Sequence, residues 1–444
     1  MQRMAHADAV SYWMSASIPN DQFLLYCFAD PGMDLDGCAI QLWARARAVP
    51  DLNLRIVDVP GALDHPYWVD APARAEQVVV HTGSHTWQSC LDVLGATMRE
   101  QLAPTEAAWR LHLFGPVADA PRAGRDAVVV VLQIVHALGD GRRTAQIARE
   151  LFDAPADVPV PIRLRSDVLT RGLAAAGGVA RMPWQMAAVA TGGVRSYRLA
   201  RHEEATRRAD RSSPGGYALS SVNVGPDDDR SLRVITVDRA ELTGGGASSV
   251  TTAALTLLSV ALPRLLGDPP SVGVELTVGR VPDGLARNNF GNVSVDLALD
   301  VDDLGDRARQ ISLRIDDARR HATRAAAAVA RQAEMSAPAF LTRWGTTRFD
   351  TSRKPAQVTG NTVVSSVNRG PADLRLGAGT VVFSAGFPAL SPVQGLTHGI
   401  HGLGDTVAIS VTTSPAVLGS AELDRYVEDL RSAIAVVGAS VSTG

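Results

Sequence analysis

Leu132-Gln-Ile-Val-His136-Ala-Leu-Gly-Asp140-Gly141 is where side-chain type, spacing and a rigid support coincide in this chain. An imidazole near its ordinary pKa takes a proton from an alcohol or amine at neutral pH and returns it to a leaving group, a thiolate in thioester chemistry. Asp140, four residues on and across a turn, is suited to bracing the loop through an arginine or backbone N–H groups rather than to relaying the proton. Gly141 lets the backbone approach a substrate closely. On spacing alone, a core histidine hydrogen-bonded at a strand end fits the same residues.

The support is the run Ala127 to Val135, whose β-branched residues spell a buried strand, followed by a helix from Arg142 to Phe152. His136 therefore stands where a strand ends, held firmly and open to a cleft. Further strands are expected at Gln22 to Phe28, Leu52 to Val59, Gln77 to His81 and Trp109 to Phe114, and helices at Asp36 to Ala48 and Trp87 to Leu102. This is an interleaved α/β half, assigned to residues 1–152. Between 153 and 220 the pattern loosens, with prolines at 155, 159 and 161 and glycine pairs at 177 and 193, and it reads as a linker. Two roles stay open for it: a surface crossover, or a membrane-facing element carrying Trp184, Met186 and flanking arginines.

Residues 221–444 form the second half. Strands are expected at Leu232 to Val237, Val272 to Val278, Thr362 to Val367, Thr380 to Ser384 and Thr406 to Thr412. Helices are expected at Ser248 to Leu266, Asp302 to Gln332 and Ala421 to Val437. The fold class is α/β in both halves, and 444 residues favour two domains, each with a core of its own.

Apolar residues make up 46% and charged residues 20%, and the net charge of −3 supplies no field to recruit nucleic acid. Cys27, Cys38 and Cys90 lack metal-ligand spacing and read as buried thiols in a reducing compartment. No signal peptide is read at the start. Gly172 to Val194 carries Arg181 and Pro183 and is not a span. The expected location is cytoplasmic, with peripheral membrane contact left open. His81 with His85, and His398 with His401 around a Gly-rich turn, read as surface or core histidines. No metal is expected. Gly244-Gly-Gly246 reads as a turn before a helix.

The segment around His136 resembles the active-site signature of the CoA-dependent acyltransferase superfamily, and most extensively its bacterial wax ester synthase/diacylglycerol acyltransferase family. Pro104-Thr-Glu-Ala-Ala-Trp109 resembles that family's Pro-Leu-Trp segment, Asn289-Phe-Gly-Asn292 its Gly-Asn strand, and Val364-Ser-Ser-Val-Asn-Arg-Gly-Pro371 its Ser-Asn-x-Pro-Gly-Pro turn. Val135 replaces the first of two adjacent histidines, and Val250-Thr251 an Asn-Asp pair.

The resemblance implies chloramphenicol-acetyltransferase-like lobes with mixed sheets flanked by helices and a central channel. It also implies His136 as general base and Asp140 as structural acid. Acyl-CoA would be the co-substrate, with no tightly bound cofactor, and a hydrophobic alcohol or diacylglycerol the acceptor, met in solution or at a membrane or lipid droplet. Ser365, Ser366 and Asn368 become candidate donors to an oxyanion, and Arg280, ending a strand, a candidate brace for Asp140. A carrier-bound donor of polyketide or condensation type, and a silent acyl- or partner-binding homologue, are the alternatives.

Overall fold

Buried runs of branched residues set the architecture. The computed structural model describes every residue except 125, 154–162, 207–215, 245–247, 282–283, 349, 351–352 and 442–444. Its strands are β1 (Gln2–Arg3), β2 (Gln22–Ala29), β3 (Leu54–Val57), β4 (Tyr67–Asp70), β5 (Val78–His81), β6 (His85–Thr86), β7 (Trp109–Ala118), β8 (Ala127–Ile134), β9 (Ser231–Asp238), β10 (Gly273–Gly279), β11 (Phe290–Asp296), β12 (Thr362–Asn368), β13 (Arg375–Leu376), β14 (Gly379–Phe387), β15 (Leu396–Leu403) and β16 (Thr406–Thr413). The helices are α1 (His6–Met14), α2 (Leu35–Ala46), α3 (Trp87–Thr97), α4 (Gly141–Asp153), α5 (Val168–Thr206), α6 (Arg239–Thr243), α7 (Val250–Leu266), α8 (Leu304–Ala322), α9 (Ala325–Met335), α10 (Ala339–Thr347) and α11 (Ser420–Val441).

Every residue of β8 is buried, so the strand must lie inside a sheet covered on both faces. It is central in the order β13-β14-β2-β8-β7-β5, with β6 against β7. The second sheet runs β11-β10-β12-β15-β16-β9, parallel at β10–β12–β15 and antiparallel elsewhere. Leu255, Leu258 and Leu262 of α7, Ile311 of α8 and Leu430 of α11 bury against it.

Four sequence expectations change in three dimensions. The strand read at Thr380 to Ser384 falls among residues assigned to the second half, yet it lies within β14, which hydrogen-bonds to β2 of the first sheet, Phe387 opposite Phe23. Burying Phe383, Ala385 and Phe387 against Phe23, Leu25 and Val129 is the reason. The pattern at 302–332 splits into α8 and α9, because the chain turns at Thr323 and Arg324. His398 and His401 lie on a strand, β15, rather than at a turn. Gly244, by contrast, does stand in a turn before α7, as the left-handed C-cap of α6, and residues 245–246 lie outside those described.

The fourth is the linker, much of which is a 39-residue helix, α5; the prolines at 155, 159 and 161 lie outside the described residues. The glycines that argue against a helix here serve contacts instead. A Cβ on Gly178 would lie 1.9 Å from the Leu63 carbonyl oxygen, and one on Gly192 would lie 2.6 Å from Ala333 Cβ of α9. Asp64 holds the helix as well, accepting from Arg181, Arg3 and Tyr67. Among the described residues no helix is long and apolar enough to cross a membrane.

Gly172 has open space where a Cβ would stand. Gly172→Ala should therefore stabilise the protein by up to about 1 kcal/mol through helix propensity alone. Gly178→Ala should destabilise it despite the same gain, because the Leu63 backbone must move. Urea midpoints for both variants check the contrast, and a stabilised Gly178→Ala would refute the close approach.

Candidate active site

β8 ends at Ile134, and the chain turns through a short 3-10 segment, His136–Leu138, before α4 begins. Asp140 caps α4: its Oδ1 accepts from the backbone N–H of Arg142 (3.1 Å) and Arg143 (3.0 Å). Its Oδ2 accepts from the N–H of Asn289 at 2.9 Å, while its own N–H donates to the Arg287 carbonyl at 3.2 Å. Asp140 thus braces the loop and ties it to the segment leading into β11.

That segment carries a residue the sequence reasoning missed. Asn288 Oδ1 lies 3.0 Å from His136 Nδ1. Its Nδ2 donates to Asp8 Oδ1 (3.0 Å) and to the His136 carbonyl (2.9 Å), neither of which can donate in return. The amide is therefore held with oxygen toward the imidazole, so Nδ1 must carry the proton and Nε2 the lone pair. The Phe290 ring stacks on the imidazole, with centroids 5.3 Å apart and planes 26° apart.

Carboxylates fix the Asn288 segment. Asp8 accepts from the N–H groups of Arg287 and Asn288, and Asp51 takes the Arg287 and Arg143 guanidiniums at 2.5 and 2.6 Å. The Arg287 guanidinium also lies 5.2 Å over the Trp68 ring.

His136 lines a cavity of about 800 Å³ between the two sheets. Burial lowers its pKa below 6.5, opposed by Asn288 and Asp140, so the imidazole is neutral at pH 7. Strand alternation decides which candidates reach the cavity. Ser365 and Val367 of β12 line it together with Thr277 of β10, and so does Gly141, where a Cβ would lie 2.8 Å from Val367 Cγ2. Ser366 faces the other way and shares a hydrogen bond of 2.7 Å with Thr251. Asn368 is exposed and accepts from the Gly370 N–H, a turn contact.

Arg280 does not brace Asp140. Both carboxylate oxygens are taken by backbone N–H groups, and the Arg280 guanidinium lies over Gly291, where a Cβ would clash with it at 2.0 Å. Its carbonyl accepts from Arg142. His398 is a core residue between Thr362 and Tyr426, and His81 stacks on Phe114. Among the described residues no cluster of histidine, cysteine or carboxylate side chains could hold a metal.

Residues 287–436 match the family model described as the WS/DGAT C-terminal domain. No curated protein matches the chain. Among solved structures, a wax ester synthase/diacylglycerol acyltransferase from Marinobacter aquaeolei VT8 is similar with a TM-score of 0.64 at 15% identity, covering 99% of this chain and 100% of that one. The trichothecene 15-O-acetyltransferase TRI3 from Fusarium sporotrichioides gives 0.58 at 11% identity, over 98% of this chain and 95% of that one. A variant of the starter condensation domain of rhizomide synthetase RzmA in complex with C8-CoA gives 0.57 at 14%, over 99% and 95%. These likenesses establish the fold as two chloramphenicol-acetyltransferase-like lobes of mixed sheets flanked by helices around a central channel.

Burial raises the Asp8 pKa from 3.8 to about 6, against the donors from Arg287 and Asn288 that lower it. A carboxyl more basic when folded contributes stability that is full below the unfolded value and lost as pH rises through 6. Asp8→Asn keeps an acceptor oxygen for Asn288, so it should reduce the fall in melting temperature between pH 4 and pH 7. An unchanged slope would show that Asp8 does not titrate in this range.

Proposed function

We propose that this chain is a wax ester synthase/diacylglycerol acyltransferase-like acyltransferase and that it moves an acyl group from acyl-CoA to the hydroxyl of a hydrophobic alcohol or diacylglycerol-like acceptor. The observation that carries the reading is the His136 imidazole, its Nδ1 proton engaged by Asn288 and its Nε2 lone pair left for a large cavity.

Nε2 takes the hydroxyl proton as the oxygen attacks the thioester carbonyl. The resulting tetrahedral oxyanion needs a donor, and Ser365 is the second-sheet candidate whose strand face meets the cavity. When the intermediate collapses, the carbon–sulfur bond breaks and the thiolate takes the proton back from Nε2. Asp140 and Asn288 act as positioning residues, holding the loop and the imidazole tautomer. No covalent intermediate on the protein is required.

The acceptor is apolar in this reading because Ile18, Leu24, Phe290, Val363 and Phe387 line much of the cavity. A route for such a substrate is suggested by α5. Val168, Leu169, Leu173 and Trp184 are between 64% and 81% exposed on it, an apolar display suited to resting on a lipid surface rather than crossing it.

Acyl-CoAs of graded length with long-chain alkanols or diacylglycerol, monitored by thiol release, test the transfer. His136→Ala should lower kcat/KM by about 10²–10⁴-fold, the usual worth of a general base, and Asn288→Ala by less. The acid limb of kcat/KM should fall below pH 6.5, since burial lowers the His136 pKa. Consumption of carrier-bound thioesters alone would replace CoA as donor. Acyl-CoA binding without turnover of any pairing would leave a silent homologue.

Flotation with phosphatidylcholine vesicles tests the surface contact. The wild type should float, and Trp184→Glu should weaken the association. A wild type that remains with the soluble fraction would remove the lipid-surface role.

A further inference from the structure

Arg369 follows β12 and is only 4% exposed, yet it lines the cavity and has no carboxylate partner among the described residues. Its backbone N–H donates to the Gly402 carbonyl, and its Nη1 reaches the Gly141 carbonyl at 3.4 Å. Its Nε has no hydrogen-bond partner, and its charge lies near the Tyr26 hydroxyl, which pairs with that of Ser384. These two residues face each other across the β2–β14 pair. Burying a cation without a counter-charge is costly, on the order of several kcal/mol.

His401 stands beside it on β15, opposite Val367 and on the same face as the cavity-lining residues of β12. The Gly386 N–H donates to His401 Nδ1 at 3.1 Å, so Nδ1 is the acceptor nitrogen. Burial and the Arg369 charge keep the ring neutral, which places the proton on Nε2. His401 Nε2–H and the Arg369 Nη2 group then converge at Gly386, where a Cβ would lie 2.8 Å from the first and 3.0 Å from the second. Two donors, one of them cationic, meet where a glycine leaves room for both side chains.

We infer that Arg369 and His401 form a subsite for a carboxylate carried by one of the two substrates, at the end remote from the reacting atoms. This rests on the acyl-transfer reading. Gly386 pairs with Leu24, and Leu24 with Leu132, four residues before His136. Two strand spacings across and four residues along, the main chain at Gly386 stands roughly 16 Å from that of His136. That is too far to stabilise the tetrahedral oxyanion and suited to the other end of a substrate lying along the cavity. The carboxylate belongs either to a hydroxy acid acceptor or to a dicarboxylic acyl group.

The test compares matched substrates of equal length: an ω-hydroxy fatty acid against the 1-alkanol, and a dicarboxylic mono-acyl-CoA against the fatty acyl-CoA. The wild type should prefer the carboxylated member of one pair by roughly 10- to 100-fold in kcat/KM, the worth of a charge-assisted hydrogen bond. The pair that shows the preference identifies the source. Arg369→Met should bring that ratio to about one while melting no lower than the wild type, because an unpaired buried charge is removed. Equal rates within both pairs, or a preference that survives Arg369→Met, would overturn the subsite.

Calorimetry of decanoate against decanol on His136→Ala separates this from failure of the transfer reading. Decanoate should bind more tightly, and the preference should vanish when Arg369→Met is added. Carboxylate binding without acyl transfer by the wild type would sink the reaction alone. Acyl transfer without carboxylate preference would sink the subsite alone.

Discussion

The site depends on one constraint: the chain at Arg287–Asn289 must be pinned against the loop that follows β8. Asp8, Asp51 and Asp140 do this from α1, from the turn before β3 and from the cap of α4, each accepting from backbone or guanidinium donors. The imidazole belongs to the loop after the first sheet, and the amide that fixes its tautomer to the strand entering the second. Neither segment could hold the proton in place by itself. Because partly satisfied buried polar groups are costly, this network favours a single relative placement of the two segments.

The same economy of polar groups shapes the cavity. Strands β10 and β12 present one face to their hydrophobic core and the other to the cavity, so neighbouring serines on β12 part company, Ser365 inward and Ser366 toward Thr251. β14 closes the arrangement by joining the first sheet although it comes late in the chain, and it carries Gly386 to the place where Arg369 and His401 meet. Hydrophobic burial of Phe383 and Phe387 selects that exchange, and the subsite geometry is its by-product.

α5 shows how a local signal can mislead. Paired glycines and a proline argue for a loop when only backbone freedom is weighed. Packed against Leu63 and Ala333, Gly178 and Gly192 are the residues that let the helix approach its neighbours. Tertiary contact supplies what propensity withholds.

Residues near in sequence were legible without coordinates. Periodicity marked β8 and α4, and the spacing of His136, Asp140 and Gly141 marked the turn between them, because strand, turn and N-cap are local events set by adjacent side chains. Only the tertiary structure decided that Asn288 meets His136 across 152 positions, that Arg280 does not meet Asp140, and that Arg369 and His401 face the same space. Those pairings follow from which strand faces are buried and how the two sheets sit against each other, and that is settled by burying apolar area over the whole chain rather than by any local pattern.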